Sequence, residues 1–241
     1  KCEADSNNTE VLCLSTEPLR VPTETSWEQV AVGWQHTCAI DDQKKLWCWG
    51  KNDSGQIGDG TLTTRSLPTL VSDATWKHIA AGTDATCGIQ DNGTLHCWGQ
   101  WHLNQSATTP SPINTDSEWE SVSASGAYDL NTFCAIKTDA SLWCFGDNNN
   151  GSLGLGDNPN NTNTPQLVAE LDKTLQVSVG PSHTCAVNEN NELWCWGKND
   201  QGQIGNNLVW GTQNQSLPKY FETEQAWQQI ATGLSHNCGI T

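Results

Sequence analysis

The stretch Leu46-Trp47-Cys48-Trp49-Gly50-Lys51-Asn52-Asp53-Ser54-Gly55-Gln56-Ile57-Gly58 returns from Leu193 to Gly205 with one change, Gln201 for Ser54. A weaker copy runs from Leu142 to Gly154. A fourth begins at Leu95-His96-Cys97-Trp98-Gly99 and then loses its glycines. A chain that repeats itself at this period builds one supersecondary unit several times over, and this limits the architecture before any local assignment is made.

Each copy sits in a longer frame. Upstream stands a short β-type run ending near a glycine: Trp27 to Gly33, Trp76 to Gly82, Trp119 to Gly126, Leu175 to Gly180 and Trp227 to Gly233. A cysteine-bearing segment follows, with Cys38, Cys87, Cys134, Cys185 and Cys238 spaced 49, 47, 51 and 53 residues apart. Downstream comes an extended piece with proline, such as Leu67-Pro68-Thr69-Leu70-Val71. One unit therefore reads as strand A, strand B, a hairpin, strand C, a Gly/Asn-rich loop and an outer strand D. Four antiparallel strands in about fifty residues make a propeller blade. In Leu46-Trp47-Cys48-Trp49, alternation sends Leu46 and Cys48 to one face and both tryptophans to the other. Both faces are apolar, as a sheet sandwiched between neighbours requires. Proline in strand D suits an outer edge, where no ladder donor is needed.

The expected fold is an all-β propeller of four-stranded antiparallel blades, stapled by disulfides. Complete blades are expected over 27–75, 76–118, 119–174 and 175–226. Residues 227–241 would begin a closing blade and residues 1–26 complete it, giving five blades in one domain spanning 1–241. A piece of a longer chain would also begin and end within a blade, so the sequence leaves the blade number open.

The pattern Gly-x-x-His-x-Cys-Ala-Ile/Val, then Leu-Trp-Cys-Trp-Gly-x-Asn-x-x-Gly-Gln-Ile-Gly, resembles the regulator of chromosome condensation repeat. The resemblance runs from Trp27 to Thr241 and is nearest to the cysteine-bearing form in secreted and cell-surface bacterial proteins. It implies a β-propeller, commonly of seven blades in that family. It implies no single function, because propellers host many.

Eleven cysteines are present and no methionine. Nine residues separate the members of each pair Cys38/Cys48, Cys87/Cys97, Cys134/Cys144 and Cys185/Cys195. Each pair flanks a hairpin, which sets the two residues opposite one another within disulfide range. Zinc would want Cys-x₂₋₄-Cys spacing, which is absent. Persistent disulfides point to an oxidising compartment and so to a secreted or cell-surface protein. Cys2, Cys13 and Cys238 cannot all pair within one molecule. Cys13–Cys238 would seal the closing blade across a long loop, and Cys2 would then be free or bonded to another molecule. Cys2–Cys13 would instead strand Cys238 and favour head-to-tail assembly.

The formal charge of −16, from only 11 Lys and Arg against 27 Asp and Glu, excludes phosphate-backbone recognition and with it nucleic acid. The same charge argues against an anionic membrane surface, and no apolar run is long enough for a spanning helix. No nucleophile elbow, phosphate loop or metalloprotease motif occurs, so no catalytic residue, cofactor or metal is expected. His36, His183 and His236 share one frame position, where a repeated side chain serves each blade's structure rather than a single reaction centre. Asp147 to Gly151 and Gly156 to Asn158 offer oxygen atoms, but their spacing matches no calcium loop. Seven Asn-x-Ser/Thr triplets, at Asn7, Asn52, Asn92, Asn104, Asn150, Asn160 and Asn214, are either glycan acceptors or by-products of Asn-rich turns.

Ten tryptophans fall at repeated positions and are assigned to the core. Trp34, Trp101 and Trp210 lie off the repeat in expected loops. With Tyr128, in the longest A–B connection, they are the candidate contact residues, since aromatic side chains anchor interfaces. The expected function is a non-enzymatic extracellular binding module whose loops grip a protein or a glycan, as resemblance to a secreted β-lactamase-inhibitor propeller suggests. The alternative is a structural subunit of a surface assembly, joined through the split terminal blade and an unpaired cysteine. Nucleotide exchange on a nuclear GTPase, an activity of the family, fits a disulfide-rich acidic chain poorly.

Overall fold

The structure is a computed structural model that describes residues 3–4, 11–12, 26–102, 105–126, 131–156, 160–171, 173–205, 213–222 and 225–241. Beyond the short pair β1 (Glu3–Ala4) and β2 (Val11–Leu12), four blades follow in chain order. Blade 1 comprises β3 (Trp27–Val32), β4 (His36–Asp41), β5 (Leu46–Gly50) and β6 (Arg65–Leu70). Blade 2 comprises β7 (Trp76–Ala81), β8 (Ala85–Gln90), β9 (Leu95–His102) and β10 (Gln105–Pro112). Blade 3 comprises β11 (Trp119–Ala124), β12 (Thr132–Lys137), β13 (Leu142–Gly146) and β14 (Thr162–Leu167). Blade 4 comprises β15 (Thr174–Val179), β16 (His183–Asn188), β17 (Leu193–Gly197) and β18 (Gln215–Tyr220). The pair β19 (Gln229–Thr232) and β20 (Asn237–Ile240) begins a fifth unit. Every blade is an antiparallel meander, A to D from the inside outward, as short hairpin connections between sequential strands dictate.

Strand alternation explains how the blades adhere. The Leu/Cys face of one blade packs on the Trp face of the next. Cys38, Ile40, Leu46, Cys48 and Ile57 of blade 1 cluster with Trp76, Ile79 and Trp98 of blade 2. Blade 3 repeats this against blade 4, with Leu142, Cys144 and Leu153 meeting Val177 and Trp196. The cysteines stand directly opposite in register and form Cys38–Cys48, Cys87–Cys97, Cys134–Cys144 and Cys185–Cys195, each with Cα atoms 4.1 Å apart. The staples thus lie inside the joints between blades and are buried.

The two positions of strand C on the Trp face differ. The second, as Trp98 in blade 2 and Trp196 in blade 4, is fully buried under the preceding blade, whereas Trp49, at that position of blade 1, is half-buried. The first, as Trp47 and Trp194, is half-buried, and Trp47 Nε1 donates to Asp41 Oδ2 at 2.8 Å. On blade 1 the Trp face has no such cover: Val30 is 56% exposed, where the equivalent Ile79 is 2% exposed.

The closing link expected between Cys13 and Cys238 is not made, because Cys238 is a free, exposed thiol. Its strand β20 pairs with β19 alone, and β1–β2 is a separate two-stranded sheet. No strand C stands beside β20 among the described residues, so no cysteine faces Cys238 across a ladder. Cys2 and Cys13 lie outside the described residues, as does the greater part of residues 1–26.

Replacing Cys87 and Cys97 together by Ala is expected to cost about 2–3 kcal/mol, as opening a short loop does. Trp98→Ala is expected to cost about 3–5 kcal/mol and Trp47→Ala less, because only the former empties a closed joint. Urea denaturation of the three variants checks the order.

Candidate functional site

The repeated histidines and the glycine loop form one device that joins neighbouring blades. In blade 1 the Asn52 Oδ1 accepts the Ile57 N–H at 2.9 Å, and Asn148 and Asn199 hold Leu153 and Ile204 in the same way. The pinned loop presents the Gln56 carbonyl to blade 2, where it accepts from Thr86 Oγ1 at 2.8 Å and Trp98 Nε1 at 3.0 Å. Ser152 O receives Thr184 Oγ1 at 2.9 Å and Trp196 Nε1 at 2.8 Å. Gly58 (φ +84°) and Gly154 (φ +71°) take a left-handed conformation, and a Cβ on either would lie within 3 Å of those indole nitrogens. Only glycine serves there.

His36 completes the joint, with Nε2 2.8 Å from Thr86 Oγ1. Since that hydroxyl already donates to Gln56 O, His36 Nε2–H must be the donor. Nδ1 is buried without a partner, so a proton added there would find no acceptor. Burial accordingly lowers the His36 pKa to about 4, against a smaller opposing pull from Asp84. His183 occupies the equivalent place, 2.7 Å from Asn237 Oδ1, and is lowered by burial in the same direction. His236, with no following blade over it among the described residues, is exposed. His36 and His183 thus each bond across the joint to the next unit.

Blade 2 departs from this scheme. Trp101, expected on a loop, lies within the long strand β9 and is 6% exposed. It clusters with Trp119, Phe133 and Phe145 of blade 3. Without a glycine loop, blade 2 offers no clasping carbonyl of the usual kind. Phe133 and Phe145, stacked at 5.3 Å, stand where other blades carry Thr and Trp, and Trp101 packs over them. The signal was present in the sequence: the lost glycines, Ala85 for His, Phe133 for Thr and Phe145 for Trp all change together.

Trp34 is exposed, at 56%. It occupies the A–B turn of blade 1, where its N–H donates to Gly82 O of blade 2 at 3.1 Å. It lines a cavity of about 360 Å³ with Val32, Gly126, Val179, Pro181 and Leu234, among others. These residues come from the ends of inner strands β3, β11, β15 and β19, so the cavity opens where the inner strands converge. Val32 is 72% and Leu234 46% exposed. Among the described side chains that line the cavity, the polar groups are the Trp34 indole N–H and Thr232, whose Oγ1 is already 2.9 Å from Ser178 Oγ. The described lining is therefore mostly apolar and carries no charge. Tyr128 and Trp210 lie outside the described residues.

The oxygen-rich turn at Asp147 is used internally. Its carboxylate accepts from Asn131 N and Asn161 Nδ2. Among the described residues, no three His, Cys, Asp or Glu side chains are grouped to hold a metal ion. No described helix is long and apolar enough to cross a membrane.

Known proteins carry this pattern. The family profile described as "Regulator of chromosome condensation (RCC1) repeat" matches residues 45–89, 139–187 and 190–240, and a second profile of that description matches 27–56, 76–105 and 175–203. The "Ultraviolet-B receptor UVR8" of Arabidopsis thaliana is 28% identical over 220 residues, covering 81% of this chain and 46% of that protein. The "Guanine nucleotide exchange factor SRM1" of Saccharomyces cerevisiae is 26% identical over 248 residues, covering 98% of this chain and 47% of that protein. The crystal structure of human WBSCR16 superposes with a TM-score of 0.80 at 20% identity, over 96% of this chain and 62% of that one. The chain spans about half the length of these two curated relatives.

Acid should loosen the joints. His36 is neutral in the fold, so its contribution is complete above the ordinary histidine value of 6.5 and is lost as pH falls towards 4. The loss is about 3 kcal/mol. His36→Gln should flatten the dependence of the melting temperature on pH over that window. Expressed through a glycosylating secretory host, folded protein should carry glycan at Asn92 and none at Asn52. Asn92 is exposed, whereas Asn52 is buried with Nδ2 donating to Thr61 O and Thr63 O; glycopeptide mapping decides.

Proposed function

Because the chain belongs to the regulator of chromosome condensation (RCC1) repeat family, whose named relatives here are receptors and exchange factors, we propose that it is a non-enzymatic binding module that holds a protein through the apolar mouth. The observation that carries this reading is the grouping of exposed Trp34, Val32 and Leu234 around one cavity at the convergence of the inner strands. Contiguous exposed apolar surface of this kind marks an interaction site, and an aromatic side chain at its edge is a frequent energetic anchor. The mouth has room for one or two apolar side chains of a partner. It suits a glycan less well, because sugar recognition needs several convergent hydrogen-bonding side chains, and the described lining offers only the Trp34 indole N–H and a Thr232 hydroxyl already bonded to Ser178. The four buried disulfides support maturation in an oxidising compartment, so the partner is proposed to be extracellular.

The exposed thiol of Cys238 favours a second reading, in which the chain is a subunit of a larger surface assembly. Gel filtration with and without reductant separates the two: a disulfide-linked species that dissolves on reduction supports assembly.

For the binding reading, Trp34→Ala combined with Leu234→Ser should abolish capture of a specific extracellular protein by the immobilised propeller. The melting temperature should hardly move, because both side chains are largely exposed. Capture that survives both substitutions, or selective binding on a glycan array, would contradict the assignment.

A further inference from the structure

Blades 1, 3 and 4 connect strand C to strand D by the pinned glycine loop. Blade 2 alone among them substitutes a long hairpin of two eight-residue strands, β9 and β10. A change of loop length would ordinarily leave the neighbouring blade alone. Here the joint to blade 3 has been rebuilt around it: Trp101 fills the space, Phe133 and Phe145 replace the polar clasp, and Asn131 Nδ2 donates to Gln100 O at 2.9 Å. Features shared by all blades serve the fold, and the asymmetric one calls for another explanation.

On its other side the hairpin confronts the blade 1 loop. Gln100, Ser106 and Thr109 stand across from Asp53, Ser54 and Leu62, around a cavity of about 610 Å³. The walls are held in place, since Gly60 N–H donates to Thr108 O at 2.8 Å and a Cβ on Gly55 would lie 3.0 Å from Ala107 O. Asp53, Gln100, Ser106 and Thr109 are exposed, and their side chains make no hydrogen bond or ion pair among the described residues. In an antiparallel meander the A–B turns and the C–D connections leave from the same end of the blade. The groove therefore opens on the same face as the apolar mouth. The two sets of connections are also bonded to each other: Lys51 N–H donates to Gln35 O and Gln100 N–H to Asp84 O, both at 2.8 Å, which ties the A–B turn to the C–D connection in blades 1 and 2.

We infer that this groove is the second half of the partner-binding face and takes a Lys- or Arg-bearing extended segment of the same protein whose apolar side chain fills the mouth. The inference rests on the protein-binding reading above. Charge complementarity selects the occupant. Asp53 is the one charged group in the groove, it has no cation of its own among the described residues, and the chain carries −16 overall. The remaining lining is neutral hydroxyl and amide, suited to a backbone, and exposed Leu62 can cover the aliphatic stem of a basic side chain. An acidic segment would be repelled by the same field.

The test uses the intact protein and a panel of synthetic twelve-residue extended peptides. Each carries one Leu, Trp or Pro and one Lys or Arg at varied separation, with matched Glu controls, and binding is read by fluorescence anisotropy. Lys and Arg peptides should bind and Glu peptides should not, with affinity falling as salt rises. Asp53→Asn should weaken binding by about five- to tenfold and erase the preference for a basic residue. Glu118→Gln, on an exposed carboxylate before strand A of blade 3, should change nothing. Asp53 makes no contact the fold depends on, so the melting temperature of its variant should match the parent. Binding that disappears with Trp34→Ala but is untouched by Asp53→Asn overturns the groove and leaves the mouth standing. A wild-type protein that binds no peptide in the panel, or that binds neutral oligosaccharides in an Asp53-dependent manner, overturns the groove assignment outright.

Discussion

Everything in this molecule depends on the joint between consecutive blades. A four-stranded blade has two apolar faces and cannot bury either alone, so its stability is borrowed from neighbours. The joint solves three problems at once. The Leu/Cys face supplies an apolar bed stiffened by a buried disulfide, and the Trp face supplies large rings to fill it. The pinned loop supplies a carbonyl for the indole N–H and the threonine hydroxyl, which would otherwise be buried without partners.

The same joint explains the histidines. A side chain repeated at His36 and His183 could be read as chemistry, but each ring donates to a hydroxyl or amide of the next unit, and the His36 ring lies against Gly33 at the end of strand A. Neutral imidazole suits this place because it supplies one donor and leaves a bare nitrogen; the charged form would bury a second N–H without an acceptor. Where blade 3 offers Phe133 and no hydroxyl, the donor is pointless and blade 2 carries Ala85 instead. Packing and hydrogen bonding thus account for the residue choice at both kinds of joint.

The proposed binding surface lies where the repeat breaks. The A–B turns share a backbone course but not a side chain: Trp34, Pro181 and Leu234 occupy comparable places, and together they make a mouth no single unit could make. The blade 2 hairpin breaks the repeat a second time, on the same face. A propeller suits this division of labour, since the joints hold the scaffold rigid while the turns on one face vary at little cost to stability.

The sequence by itself determined the blade, its four strands and the hairpin disulfides, because each follows from local alternation and from spacing across a tight turn. The core role of Trp98 and Trp196 was legible for the same reason. What only the tertiary structure decided concerns one blade laid against another. Trp101 looked like a loop aromatic because its strand continues past the repeat, and its burial depends on Phe133 and Phe145, some thirty to forty-five residues away. Trp194 and Trp196 both stand on the Trp face of β17, yet only Trp196 is fully buried, where its indole N–H reaches Ser152 O of the preceding blade's loop. Cys238 matches the hairpin cysteines in sequence, but the disulfide needs a cysteine on a facing strand C, and β20 pairs with β19 alone among the described residues. Alternation along a strand is a property of the chain; cover, partner and mouth are properties of what lies beside it.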